Sequence, residues 1–115
     1  VKDMRRSLIT FSINIYLGVY YAFLLSITVT SPCPERIVDE LGIKNWPIWT
    51  CEASSFDWTY DDQETCLLLE GEVTVTPDRG DPVKFGAGDL VTFPARMVCR
   101  WHVHKAVRKH YRFGD

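Results

Sequence analysis

ETCLLLEGEVTVTPDRGDPVKFGAGDLVTFP, residues 64–94, is the stretch that decides the fold. EVTVT (72–76) alternates apolar and polar residues with period two, the pattern of a strand with one buried face. PDRGD (77–81) carries turn residues, with Gly80 free to take a positive φ, and predicts a hairpin. A second short apolar run, PVKF, leads into FGAGD (85–89), where Asp89 is expected to bond the backbone N–H groups of the glycine turn. DLVTFP then ends at Pro94, which has no N–H to give to a ladder and marks a strand end.

The same pattern extends on both sides. NWPIW, FDWTY, TCLLLEGEVTVT, PVKF, DLVTF, VCRWHVH and VRKHYRF are short apolar runs separated by turn residues, with Asp61 and Asp62 forming one of the turns. About seven strands spaced this way predict an all-β sandwich or small barrel. No helical period follows residue 44. ERIVDELGI (35–43) is expected to form one or two helical turns ending at Gly42.

The 115 residues suit one domain with one core. A net charge of −2 gives no reason to expect a nucleic-acid partner, and RKHYR (108–112) reads as a solvated strand face. Cys33, Cys51, Cys66 and Cys99 contain no C-x-x-C pair, which argues against a zinc knuckle or a thioredoxin-like motif. Two disulfides or four reduced thiols remain open, and the apolar content favours reduced thiols.

Residues 7–34 lack any charged side chain, and Lys2, Arg5 and Arg6 precede them. An apolar stretch of this length predicts a membrane-spanning helix over residues 7–30 with a cytoplasmic N-terminus. A cleaved signal peptide stays open as an alternative, as does a translated upstream segment that does not fold with the rest, which the Val1 start supports. SPCP (31–34) reads as a linker. The expected organisation is a hydrophobic segment at 1–34 and a folded domain at 35–115. The expected location is a membrane if 7–30 is an anchor, and otherwise the soluble interior of a cell, cytosol or plastid.

Glu64 to Gly71 gives E-x6-G, and Gly88 to Pro94 gives G-D-x-x-x-F-P. This pair of motifs resembles those of the cupin superfamily, a small jelly-roll barrel. The wording from Leu41 to Phe113 is more similar to the single-domain plant and bacterial cupins of the (S)-ureidoglycine aminohydrolase type. The resemblance implies a jelly roll, strand-edge dimers, and a metal held by H-x-H and E of the first motif and a histidine five residues after the proline of the second. Counted back from Glu64, the histidine positions are Asp57 and Thr59, or Trp58 and Tyr60; the second-motif position is Cys99. Glu64, Cys99 and Asp57 are therefore weak metal candidates. Such a mismatched set implies no tight site for Mn, Fe, Ni or Zn. Arg96 stands where the family has a turn glycine, Leu67 where an aromatic is common, and Val98 where a small polar residue is common.

The candidate site is thus Glu64, as a structural carboxylate or a general base, with Trp58, Tyr60, Cys99 and Trp101 lining a pocket or packing the core. His102 and His104 tempt a metal reading, but if Cys99, Trp101 and Val103 face inward, both histidines face outward. Three functions follow as expectations: a cupin binding a small polar organic ligand with a degenerate metal site; a metal-dependent enzyme of the aminohydrolase kind; and a membrane-tethered structural or interaction module.

Overall fold

The computed structural model describes residues 26–114. Among the described residues seven strands form the fold: β1 (Thr28–Thr30), β2 (Ile48–Cys51), β3 (Ser54–Thr59), β4 (Glu64–Pro77), β5 (Val83–Gly86), β6 (Leu90–Phe93) and β7 (Val98–Phe113). One short helix, α1 (Glu35–Glu40), and a 3-10 turn at Ile43–Asn45 lie between β1 and β2. Gly42 follows α1 in the left-handed region at φ 63°, the conformation expected of a glycine ending a helix.

Every pairing is antiparallel, and the two long strands organise the rest. β4 pairs with β7 along its length; its first half also pairs with β6 and its second half with β5. β7 likewise pairs with β3 through its first half and with β2 through its second. The sequence VCRWHVH and VRKHYRF is therefore one strand rather than two. Both long strands turn a corner where the β4–β7 register slips, between Leu68 and Val73. Gly71 makes that corner possible: its φ is 115°, and a Cβ there would sit 2.8 Å from the Ala106 carbonyl oxygen and 3.0 Å from that of Lys105. Bending two paired strands at one bulge wraps the sheet into an all-β jelly-roll barrel.

The core is the inner face of this wrap. Cys66, Leu68, Val73, Val75, Phe85, Val91, Phe93, Val103 and Val107 pack in one cluster. Alternation then sends Leu67 outward, where it buries against Val38 of α1 and Ile43 of the 3-10 turn. The PDRGD turn joins β4 to β5, and Asp89 accepts the Gly86 N–H at 2.8 Å, as read from the sequence. All four cysteines are free.

The expectation of an N-terminal hydrophobic helix is corrected. Thr28–Thr30, the end of the stretch assigned to it, form β1 and pair with β6 in the register Thr28↔Thr92 to Thr30↔Leu90. The reason is local: a β-branched Thr-Val-Thr run fits a pleated surface and meets the otherwise open edge of β6. Among the described residues no helix is long and apolar enough to cross a membrane. Residues 7–25 of that expectation lie outside the described residues.

Candidate functional site: an aromatic cavity with a buried ion pair

Glu64 opens β4, and the two-residue period of the strand aims it, like Cys66 and Leu68, into the barrel. Lys109 reaches the same space from the second half of β7. Its Nζ donates to Glu64 Oε2 at 2.6 Å, and both side chains are 5% exposed. Lys109 Nζ also stands 4.8 Å from the ring centroids of both Trp49 and Trp101. Two π faces and a carboxylate together replace the water that the ammonium loses on burial.

Beside this pair lies a cavity of about 180 Å³. Its walls are Trp49 from β2, Phe56 and Trp58 from β3, Tyr60, and Trp101, Tyr111 and Phe113 from β7. Trp58 and Phe113 form a rim, 46% and 51% exposed. Deeper in, Tyr60 stacks on Phe93 at 4.8 Å, and Phe93 and Phe85 abut Trp101 at 5.6 and 5.8 Å. Trp101 Nε1 donates to the Tyr60 hydroxyl at 3.1 Å. Burial, and then the Glu64 carboxylate, raise the Tyr60 phenol far above its ordinary range, so it keeps its proton.

The sequence candidates separate. Trp58, Tyr60, Glu64 and Trp101 are brought together around one cavity. Cys99 is buried on β7 but turns its Sγ to the Trp58 carbonyl at 3.6 Å, outside the cavity lining. Burial, then Asp57 and Glu64, push its thiol up to about 11, which makes it a poor nucleophile and a poor ligand at neutral pH. Asp57 points outward to an exposed ion pair with Arg100 at 2.8 Å. His102 and His104 also face outward, stacked at 4.1 Å, with His104 bonded to Thr74, while Cys99, Trp101 and Val103 face in.

This donor set does not fit a resident metal. Among the described residues Glu64 is the one carboxylate on the cavity and its Oε2 is taken by Lys109; Asp57 and Cys99 lie off the lining, and the two motif positions that reach it, Trp58 and Tyr60, bring an indole and a protonated phenol rather than imidazoles. Among the described residues no group of three or more His, Cys, Asp or Glu is placed to hold an ion.

Lys109 is the site residue that sequence reading missed, along with Trp49, Phe56, Tyr111 and Phe113. RKHYR (108–112) is not wholly solvated: Lys109 is 4% exposed. A signal was present, because Cys99, Trp101, Val103, Val107, Lys109 and Tyr111 share one phase of a two-residue repeat. Arg96, read as standing in a glycine position, does adopt φ 72°.

Comparison with known proteins agrees with this fold. The model of the EutQ-like cupin domain matches residues 38–111. A DUF861 family protein from Thermotoga maritima is 47% identical, with a TM-score of 0.73 over 77% of this chain and 100% of that one. An ethanolamine utilization protein Q from Salmonella typhimurium is 22% identical, with a TM-score of 0.51 over 74% of this chain and 66% of that one. The EutQ protein of Clostridium difficile is 23% identical, with a TM-score of 0.51 over 56% of this chain, which spans half of that protein's length (50%). The two EutQ proteins support the fold alone. No curated protein matches the chain. None of these reaches the narrower ureidoglycine-aminohydrolase branch. The barrel, the two motifs and the family match together place this chain in the EutQ-like cupin domain family, of the DUF861 type.

Proposed function

We propose that this cupin binds a small polar organic molecule in the aromatic cavity, held at its charged wall by Lys109 and Glu64. One observation carries the reading: two side chains of opposite charge, 2.6 Å apart and 5% exposed, border an otherwise aromatic cavity. A buried ion pair is weak support for stability, since apolar residues of similar volume hold a core equally well. Beside a cavity with an exposed aromatic rim, the pair is better accounted for as the polar contact of a ligand. At about 180 Å³ the space is below the ~300–1,000 Å³ of drug-sized pockets, so the occupant is small.

The finer likeness to (S)-ureidoglycine aminohydrolases would make the same cavity a metal-dependent active site. That chemistry calls for imidazole-rich ligands, and the cavity offers one carboxylate already engaged by an ammonium. The binding reading therefore takes precedence.

The test is a thermal-shift screen of small polar aromatic and carbonyl compounds on the purified chain. Hits are then titrated against fluorescence, since Trp49, Trp58 and Trp101 surround the cavity. Saturable quenching together with a rise in Tm is expected. A screen without one saturable ligand would sink the proposal.

A further inference from the structure

We infer that the Lys109–Glu64 pair acts as a charge filter, admitting an uncharged ligand that carries a hydrogen-bond acceptor in preference to an anion or a cation of the same shape. The inference rests on the ligand-binding reading above and names the class of ligand.

The charge count comes first. Among the described residues, Lys109 and Glu64 are the charged side chains on the cavity, and at 2.6 Å they cancel. An anion entering beside them brings a charge that nothing on the wall neutralises. It could take Lys109 for itself only by leaving Glu64 buried and unpaired, and a cation faces the mirror-image penalty with Lys109. Uncompensated buried charge is the costliest outcome in a low-dielectric cavity.

The donor count comes second. An ammonium has three N–H donors. One goes to Glu64, and the faces of Trp49 and Trp101 hold the cation without offering an oxygen. The Tyr60 hydroxyl accepts from Trp101 Nε1, which leaves its own proton to give. The cavity therefore presents donors from Lys109 and Tyr60 within aromatic walls. Their complement is a neutral acceptor, a carbonyl or amide oxygen, on a flat apolar body.

Three near-isosteric probes test this on the intact chain at pH 7: benzamide, benzoate and benzylammonium, each titrated against tryptophan fluorescence. Benzamide is expected to bind wild type about tenfold or more tightly than either ion, which corresponds to about 1.4 kcal/mol. Glu64→Gln leaves an unopposed ammonium and should move the preference to benzoate. Lys109→Met leaves an unopposed carboxylate and should move it to benzylammonium. If either single variant fails to fold, the wild-type series and the double variant decide, and the double variant should keep the neutral preference. Either ion binding wild type as tightly as benzamide would overturn the filter and leave the ligand-binding reading standing. No binding of any probe to any form would count against both.

Discussion

Breaking the buried ion pair one partner at a time, and then both together, tests the energetic account of the site. At 2.6 Å and an effective dielectric constant of ~20, the Lys109–Glu64 attraction is about 6 kcal/mol. Burial of the two ions opposes it by several kcal/mol each. The net value of the intact pair is therefore small, whereas orphaning one member exposes the full burial cost. Glu64→Gln leaves Lys109 against two tryptophan faces and a neutral amide oxygen, and should cost about 3 kcal/mol. Lys109→Met leaves a carboxylate with no cation, and should cost more, about 5 kcal/mol. The double variant has no orphan, and Met packs well against rings. It should be more stable than either single variant. Urea unfolding at pH 7 reads all four forms, with the midpoints compared at constant m. Additive single costs in the double variant, or a Lys109→Met cost below about 1 kcal/mol, would refute the reasoning, since either would mean that the pair is solvated rather than buried.

Three further outcomes are expected. Gly71→Ala should destabilise the barrel by about 3 kcal/mol or more in a thermal melt, because the new Cβ meets two carbonyl oxygens within 3.0 Å at a φ of 115°; a melt within 2 °C of wild type would contradict the corner's account. Arg96→Gly should raise stability by about 1 kcal/mol, as it relieves a left-handed residue at φ 72°, and a lowered midpoint would show that the arginine side chain contributes more than its backbone costs. Burial pushes the Cys66 thiol from an ordinary 9.0 up to about 12. The unfolded chain therefore loses this proton first, so the contribution is full below about pH 9 and falls by up to about 1.4 kcal/mol per pH unit as pH rises towards 12. Cys66→Ala should flatten that part of the stability–pH curve, and an unchanged slope would assign it to other groups.

Much of the barrel was legible in the chain because its signals are local. Strand period, Gly and Pro punctuation and the Asp89 turn depend on neighbours a few residues apart. The outward histidines followed from alternation alone: once Trp101 is inside, His102 and His104 are not. The left-handed Arg96 was readable from the motif, because the turn is set by backbone geometry whatever side chain occupies it. β1 was obscured because an apolar β-branched run does not say whether it will meet lipid or an open sheet edge; that depends on β6, some sixty residues away in sequence.

The sequence by itself determined the strand pattern, the turns, the family motifs and the choice of Glu64 as the candidate carboxylate. Only the tertiary structure decided what Glu64 meets. A lysine in a basic run reads as solvated, because burial of an ammonium is prohibitive without a partner. That partner and the Trp49 face come from β4 and β2, which pair with the same half of β7 although they are distant in sequence, and the Trp101 face comes from the other half of β7, beyond the corner at Gly71. Alternation along β3 and β7 directs Asp57 to solvent and Cys99 into the packed wall, while Trp58 and Tyr60 reach the cavity with side chains that are not metal ligands, so no ligand set converges on Glu64. Convergence of side chains is a property of the closed barrel, and local sequence carries no record of it.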